Sequence, residues 1–280
     1  MKLTNEQWTE LGEKFKEGTS VKELSEIYGC SSITINKHLK NMGLKNNYQT
    51  KWVNDNYFDD IDNEEKSYLL GFLIADGCIR EENDNRNPNW KSKRICFSNS
   101  IDDKEVMELI HNRICPNHIM KQVHYTKGAE NRKPQHVLQW TSNHMIDTLI
   151  NKYGILPNKT NDKNFKFPFE SIPEELHRHF IRGFMDGDGF INKSELKFVF
   201  TSVPFMNQII DKFKILFDNH SDIVWDFNYT ITEYDGKTTK YWKVFIPMGH
   251  GRDKLIKNYL YKDSTIYLTR KYNKAYGKSQ

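Results

Sequence analysis

Two stretches of this 280-residue chain are near copies: SYLLGFLIADGCIR, from Ser67 to Arg80, and HFIRGFMDGDGFIN, from His179 to Asn192. Each is an apolar, helix-like run with an inner glycine at the same place, Gly71 or Gly183. Each closes on Asp-Gly, at Asp76-Gly77 and Asp188-Gly189, a separation of 188 − 76 = 112 residues. Glycine inside a helix costs about 1 kcal/mol against alanine, so a matched pair needs a cause. Close approach of two helix backbones supplies one. Without side chains at Gly71 and Gly183, the helices can close until their C-terminal ends bring Asp76 and Asp188 together. Gly77 and Gly189 then read as C-cap residues with a left-handed backbone.

Two carboxylates at the negative ends of two helices repel, and each raises the other's pKa unless a cation lies between them. A divalent metal resolves the conflict. Hard oxygen ligands without a Cys or His cluster favour Mg²⁺, two or more ions, over zinc, and metal shared between carboxylates suits in-line attack of water on phosphate. The four cysteines, Cys30, Cys78, Cys96 and Cys115, form no CxxC pair, which argues against a zinc site or disulfide framework.

The repeat extends beyond the motifs. RICFSNS (Arg94 to Ser100) corresponds to LKFVFTS (Leu196 to Ser202), and a helix follows each, from Asp102 and from Pro204. Further strands HVLQWTS (His136 to Ser142) and YWKVFIPM (Tyr241 to Met248) precede last helices ending in INKY (Ile150 to Tyr153) and IKNY (Ile256 to Tyr259). Each half reads as α-β-β-α-β-β-α, so the fold class is α+β. The halves span 57–165 and 166–273, with a tail at 274–280.

Residues 1–44 read as three short helices. Thr4 caps the first, which carries Trp8, Leu11 and Phe15 and ends at Gly18. The second turns Val21, Leu24 and Ile27 inward. After a tight turn at Gly29, Ser31 or Ser32 begins a third with Ile35 and Leu39 inward. Six glutamates lie on the first two helices, whereas Lys37 and Lys40 lie on the third. The pattern resembles a helix-turn-helix of the resolvase and invertase type, which implies that the third helix enters a DNA groove, with Ser32, Thr34, Asn36 and Lys37 nearest to bases or phosphates. A bundle that only packs or binds a protein is the other reading. The polar segment 45–56 reads as a linker.

A net charge of +4 permits a polyanionic partner without demanding one. The longest apolar run, Tyr68 to Ala75, is too short for a membrane span, and MKLTNEQWTE lacks the apolar stretch of a signal peptide. The expectation is an intracellular, cytoplasmic protein with no membrane partner.

The motifs LLGFLIADG (Leu69 to Gly77) and IRGFMDGDG (Ile181 to Gly189) resemble the two motifs of a single-chain LAGLIDADG homing endonuclease, over roughly Tyr57 to Tyr272. The resemblance implies a pseudo-twofold pair of αββαββα halves whose sheets form a saddle on double-stranded DNA, hydrolysed on both strands across the minor groove. It implies that Asp76 and Asp188 bind the metals, helped by the carbonyls of Ala75 and Gly187, and that a basic residue stands near each centre. Lys166, 13 residues past Tyr153, and Lys271, 12 past Tyr259, match best in position; a phosphate-contact role is the other reading. Ile74 stands where the motif has an earlier acid, which survives as Asp186. Leu70 and Arg182 replace a small residue before the glycine.

Strand alternation turns Ile95, Phe97, Phe198 and Phe200 toward the helices and Arg94, Ser98, Lys197 and Thr201 toward DNA; Arg80 and Asn192, four residues past each Asp, share that face. The two halves supply the symmetry a homodimer would otherwise give, so a monomer is expected. The chain closes on GKSQ without an intein-like ending, so the reading is a free-standing or intron-encoded enzyme, part of a mobile genetic element. The competing class is a DNA-binding regulator or RNA-binding intron maturase that kept the fold and lost cleavage; loss of either motif Asp would favour it, and both are present.

Overall fold

Thr4 and Ser20 each precede a helix by one residue and are followed three residues later by Gln7 and Glu23, and both capping boxes form. They open α1 (Asn5–Lys16) and α2 (Val21–Tyr28); Gly29, left-handed at φ 62°, turns the chain, and Ser31 caps α3 (Ser32–Asn41). Trp8, Leu11, Leu24, Ile35 and Leu39 form the core of this unit, and Trp8 stacks on His38 with ring centroids 3.7 Å apart. The computed structural model describes residues 3–17, 19–44, 52–84, 87–124, 133–216, 226–234, 237–247 and 251–277. It divides into two units, Met1–Trp52 and Val53–Gln280. Gly18 and residues 45–51, the expected helix end and most of the expected linker, lie outside the described residues. From Val53 the chain already packs on the second unit, where the Asn54 N–H donates to the Ile114 carbonyl.

The second unit repeats one order of elements. Its first run is α4 (Glu64–Asp76), β1 (Gly77–Asp84), β2 (Asn87–Ser100), α5 (Lys104–Ile114), β3 (Lys121–Val123), β4 (Gln135–Trp140) and α6 (Asn143–Asn151). Then follow α7 (His177–Asp188), β5 (Gly189–Ile191), β6 (Glu195–Phe200), α8 (Val203–Ile215), β7 (Asp226–Tyr234), β8 (Lys237–Pro247) and α9 (Arg252–Tyr261). A further helix, α10 (Thr269–Tyr276), includes residues expected to be tail. All strands pair antiparallel, in sheets ordered β1-β2-β4-β3 and β5-β6-β8-β7. Among the described residues no helix is long and apolar enough to cross a membrane.

α4 is buried on every side from Ser67 to Ile74, as befits a helix enclosed by its own domain. α7 is buried from Phe180 to Asp186 although it carries Arg182 and Asp186. Those charges are paired inside. Arg182, fully buried, donates to Glu64 at 2.7 Å and to the carbonyls of Leu260 and Ile266. Asp186 accepts from the Tyr68 hydroxyl at 2.8 Å, the Leu268 N–H at 2.7 Å and the Tyr261 hydroxyl at 3.4 Å. The two departures from a small, apolar helix face thus anchor α7 to α4 and to the segment leading into α10.

Candidate active site

The two inner glycines set the separation of α4 and α7. A Cβ added at Gly71 would lie 2.0 Å from the Phe180 carbonyl oxygen, and one added at Gly183 would lie 2.0 Å from that of Tyr68. The relation is reciprocal, since Tyr68 and Phe180 each stand three residues before a glycine. Further along, a Cβ on Gly187 would meet that of Ala75 at 2.2 Å and Asp76 Oδ2 at 3.3 Å. The helices therefore touch through backbone down to their last turns, where Asp76 and Asp188 end them.

Gly77 and Gly189 are not left-handed caps: both are extended, at φ −80° and −92°. Each is the first residue of a strand that leaves the helix directly. A side chain there would strike the preceding turn, 2.8 Å from the Leu73 carbonyl oxygen in one case and 2.5 Å from that of Met185 in the other.

Two buried lysines close the site. Lys159 Nζ donates to the carbonyls of Leu73 (2.9 Å), Ala75 (3.1 Å) and Gly77. Lys271 Nζ donates to those of Met185 (2.9 Å), Gly187 (3.0 Å) and Gly189 (2.6 Å). Each ammonium gathers carbonyls at the C-terminus of its helix, the negative end of the dipole, including those of Leu73 and Met185 that also accept the Gly77 and Gly189 N–H groups. The counterpart of Lys271 is thus Lys159 and not Lys166, which is exposed between the buried Phe165 and Phe167. The expected metal-binding carbonyls, Ala75 and Gly187, each already accept one lysine bond, leaving a second lone pair.

The electrostatics follow from burial. Asp188 is pushed up to about 7, first by burial and then by the Asp76 charge, with Lys159 and Lys271 opposing. Burial also raises Asp76, held back by a 2.7 Å bond from Asn99 Nδ2 and by the two lysines. Both lysines fall to about 8 by burial, against the pull of the carboxylates. Two ammoniums thus do not fully offset the desolvation and mutual repulsion of two carboxylates. Among the described residues no three His, Cys, Asp or Glu side chains cluster to hold a metal ion. Asp76, Asp188 and the remaining lone pairs of the Ala75 and Gly187 carbonyls could give a few oxygens to a divalent ion that completes its shell from water and substrate.

On the face of the first sheet turned from the helices, Arg80 lies directly across from Arg94, which pairs with Glu82 at 2.7 Å. Cys78 lies across from Cys96, both free thiols, and Ser98 donates to Gln135 at 2.6 Å. On the second sheet Lys197 pairs with Glu195 at 2.7 Å and stands over the Phe190 and Phe245 rings. Thr201 is buried, because β6 stops at Phe200 and the chain turns into the Ser202 cap of α8 before alternation can carry Thr201 outward. Asn192 serves the β5–β6 turn, its Oδ1 accepting from the Ser194 and Glu195 N–H groups. In the first unit Ser32, Thr34, Asn36 and Lys37 are exposed on α3, with the Thr34 hydroxyl bonded to that of Ser31 at 2.8 Å.

The missed residues are Lys159, Asn99 and the pair of Asp103 and Arg270. Asp103 is buried and takes Arg270 in two bonds, at 2.6 and 2.8 Å, which ties α10, and Lys271 with it, to the first half. A signal for Lys159 was present, since 271 − 159 equals the 112-residue motif separation. Asn99 and Asp103 carry none in the spacing.

No protein-family model matches the chain. No curated protein matches it either. Solved structures similar to it include I-WcaI bound to its DNA recognition sequence, 14% identical at a TM-score of 0.46, covering 83% of this chain and 96% of that one. I-DmoI in complex with DNA and Mn is 15% identical at a TM-score of 0.42, covering 72% of this chain and 98% of that one. The I-SmaMI LAGLIDADG homing endonuclease bound to cleaved DNA is 10% identical at a TM-score of 0.43, covering 78% and 87%.

Proposed function

We propose that this protein is a site-specific, Mg²⁺-dependent endonuclease of the LAGLIDADG homing type, which hydrolyses both strands of duplex DNA. The observation that carries the reading is the matched ending of α4 and α7: Asp76 and Asp188 beside one another, each followed by a strand and each backed by a lysine on three carbonyls. The two halves, related by a pseudo-twofold axis, would present their sheets as a saddle, with Arg80, Arg94, Ser98 and Lys197 facing DNA. The first unit would act as a helix-turn-helix that lengthens the site, and the protein would work as an intracellular monomer from a free-standing or intron-borne gene.

Asp76 and Asp188 would hold Mg²⁺, which when bound lowers the pKa of water and offsets charge on the phosphate. Asn99 orients Asp76 through its 2.7 Å bond. Lys159 and Lys271 fix the last helical carbonyls and keep a positive charge beside the carboxylates, favouring their ionised form near neutral pH.

The test uses a circularised random-sequence duplex library with Mg²⁺, sequencing the linear products. Wild type should yield paired ends around one shared motif, with none in chelator. Asp188→Asn should still retain that motif on a binding column and should not cut it. Equal cutting by wild type and Asp188→Asn would overturn the assignment.

A further inference from the structure

α3 buries Ile35 and Leu39 completely. At 100° per residue, Ile33 falls near the opposite side of the helix. It is 81% exposed, the most exposed large apolar side chain among the described residues. A single apolar residue on a surface is ordinary. The surroundings of this one are not: Asn36, Lys37, Lys40 and Asn41 share its face, and α3 holds no Asp or Glu, whereas α1 and α2 carry Glu6, Glu10, Glu13, Glu23 and Glu26. Ile33 is also the second residue of α3, in the turn that a groove-entering helix points at base edges.

Ile27 on α2 and Met42 after α3 are also exposed, at 59% and 40%, but on the α3 face itself one isoleucine ringed by lysines and amides is a small apolar area for a stable protein interface. It fits a basic helix on a polyanion, where one small apolar group needs a partner. The major-groove edge of DNA offers one such group, the 5-methyl of thymine. We infer that Ile33 is a specificity-determining residue, packing on the 5-methyl group of a thymine while Lys37 and Lys40 hold flanking phosphates. The inference rests on the reading of the first unit as a DNA-binding module.

The test uses full-length protein and a random-sequence duplex library made twice, once with thymine and once with deoxyuridine, which differ only in the methyl group. Bound duplexes are recovered and sequenced. Wild type should enrich a thymine at a flank of the site, and that preference should fall about fourfold in the deoxyuridine library, the effect of one buried methyl. Ile33→Ala should lose the same preference with thymine and show no further loss with deoxyuridine; its exposure leaves the core untouched, which a thermal melt checks. Lys37→Ala should weaken binding and make its salt dependence shallower while keeping the thymine preference. If Lys37→Ala behaves so but Ile33→Ala keeps wild-type sensitivity to the methyl group, the inference is overturned and the DNA-binding reading stands. If Lys37→Ala changes nothing and no flank is enriched, both fall.

Discussion

Gly71→Ala tests the packing on which the active site depends. The added Cβ would sit 2.0 Å from the Phe180 carbonyl oxygen and 2.8 Å from its carbon, where contacts under 3.0 Å essentially do not occur. The opposing atoms are backbone within α7, so the helices must part by about 1 Å. Parting is resisted by the bonds from Arg182 to Glu64 and from Tyr68 to Asp186, which cross the same interface. Overpacking costs about 1–3 kcal/mol, and a backbone obstacle puts this case at the upper end. Alanine's better helix propensity offsets about 1 kcal/mol. The net expectation is a loss of about 2 kcal/mol, or roughly 4–8 °C in melting temperature for a domain of this size. The same opening shifts Asp76 against Asp188, and a misplacement near 1 Å lowers cleavage by about a hundredfold at temperatures where the variant is still folded. Thermal melts and single-turnover cleavage at 25 °C measure the two effects separately. Gly183→Ala should match it, and the double variant should cost less than the sum, because the helices have already parted. A Gly71→Ala protein as stable and as active as wild type would mean that the glycine contact does not set the helix separation.

Other outcomes follow from the buried charges. Arg182→Met takes the cation from Glu64, which keeps its bonds from Thr265 and Ile266, and leaves the carbonyls of Leu260 and Ile266 without that donor; it should cost about 2–3 kcal/mol in urea unfolding, and a loss below about 1 kcal/mol would contradict the pairing. Asp188 titrates at about 7 when folded against an ordinary 3.8, so between those values the folded chain holds more protons than the unfolded one. Its contribution is full below 3.8 and lost as pH rises through 7, so metal-free protein should become less stable from pH 5.5 to 7.5. Mg²⁺ binds the ionised form, and its thermal shift should be larger at pH 7.5 and absent in Asp188→Asn; equal shifts at both pH values would count against a metal at this carboxylate. Lys159→Met should move the acid limb of the cleavage profile up by about one pH unit, because a cation beside the carboxylates is lost. Lys166→Met should leave the profile in place, and the reverse pattern would restore Lys166 to the site.

The glycine and aspartate positions were legible because a repeat doubles every signal: what one Asp-Gly leaves open, two copies in matching helices constrain. The lysine was mislocated for a physical reason. Counting from the tyrosines of INKY and IKNY carries along a six-residue difference in loop length between the halves, whereas Lys159 and Lys271 are fixed by the helix ends they cap and keep the 112-residue offset. Thr201 followed a strand rule past the end of its strand. At Gly77 and Gly189 the left-handed cap, a local habit of helix ends, gives way because β1 and β5 begin at once and the need is for space against the preceding turn. Arg182 was legible as a departure and Asp186 as the motif acid that Ile74 lacks, but their partners, Glu64, Tyr68 and Leu268, are remote in sequence and only the packed fold brings them near.

On the proposed function, Asp76 and Asp188 together hold the catalytic cation on duplex DNA. Anomalous diffraction from crystals of the protein grown with Mn²⁺ and the duplex recovered from the cleavage selection locates that cation. Density is expected between the ends of α4 and α7, within about 2–2.3 Å of a carboxylate oxygen of each Asp, and none in crystals of Asp188→Asn at the position between them. Mn²⁺ bound elsewhere on the chain, with both carboxylates left to Lys159 and Lys271 alone, would contradict it.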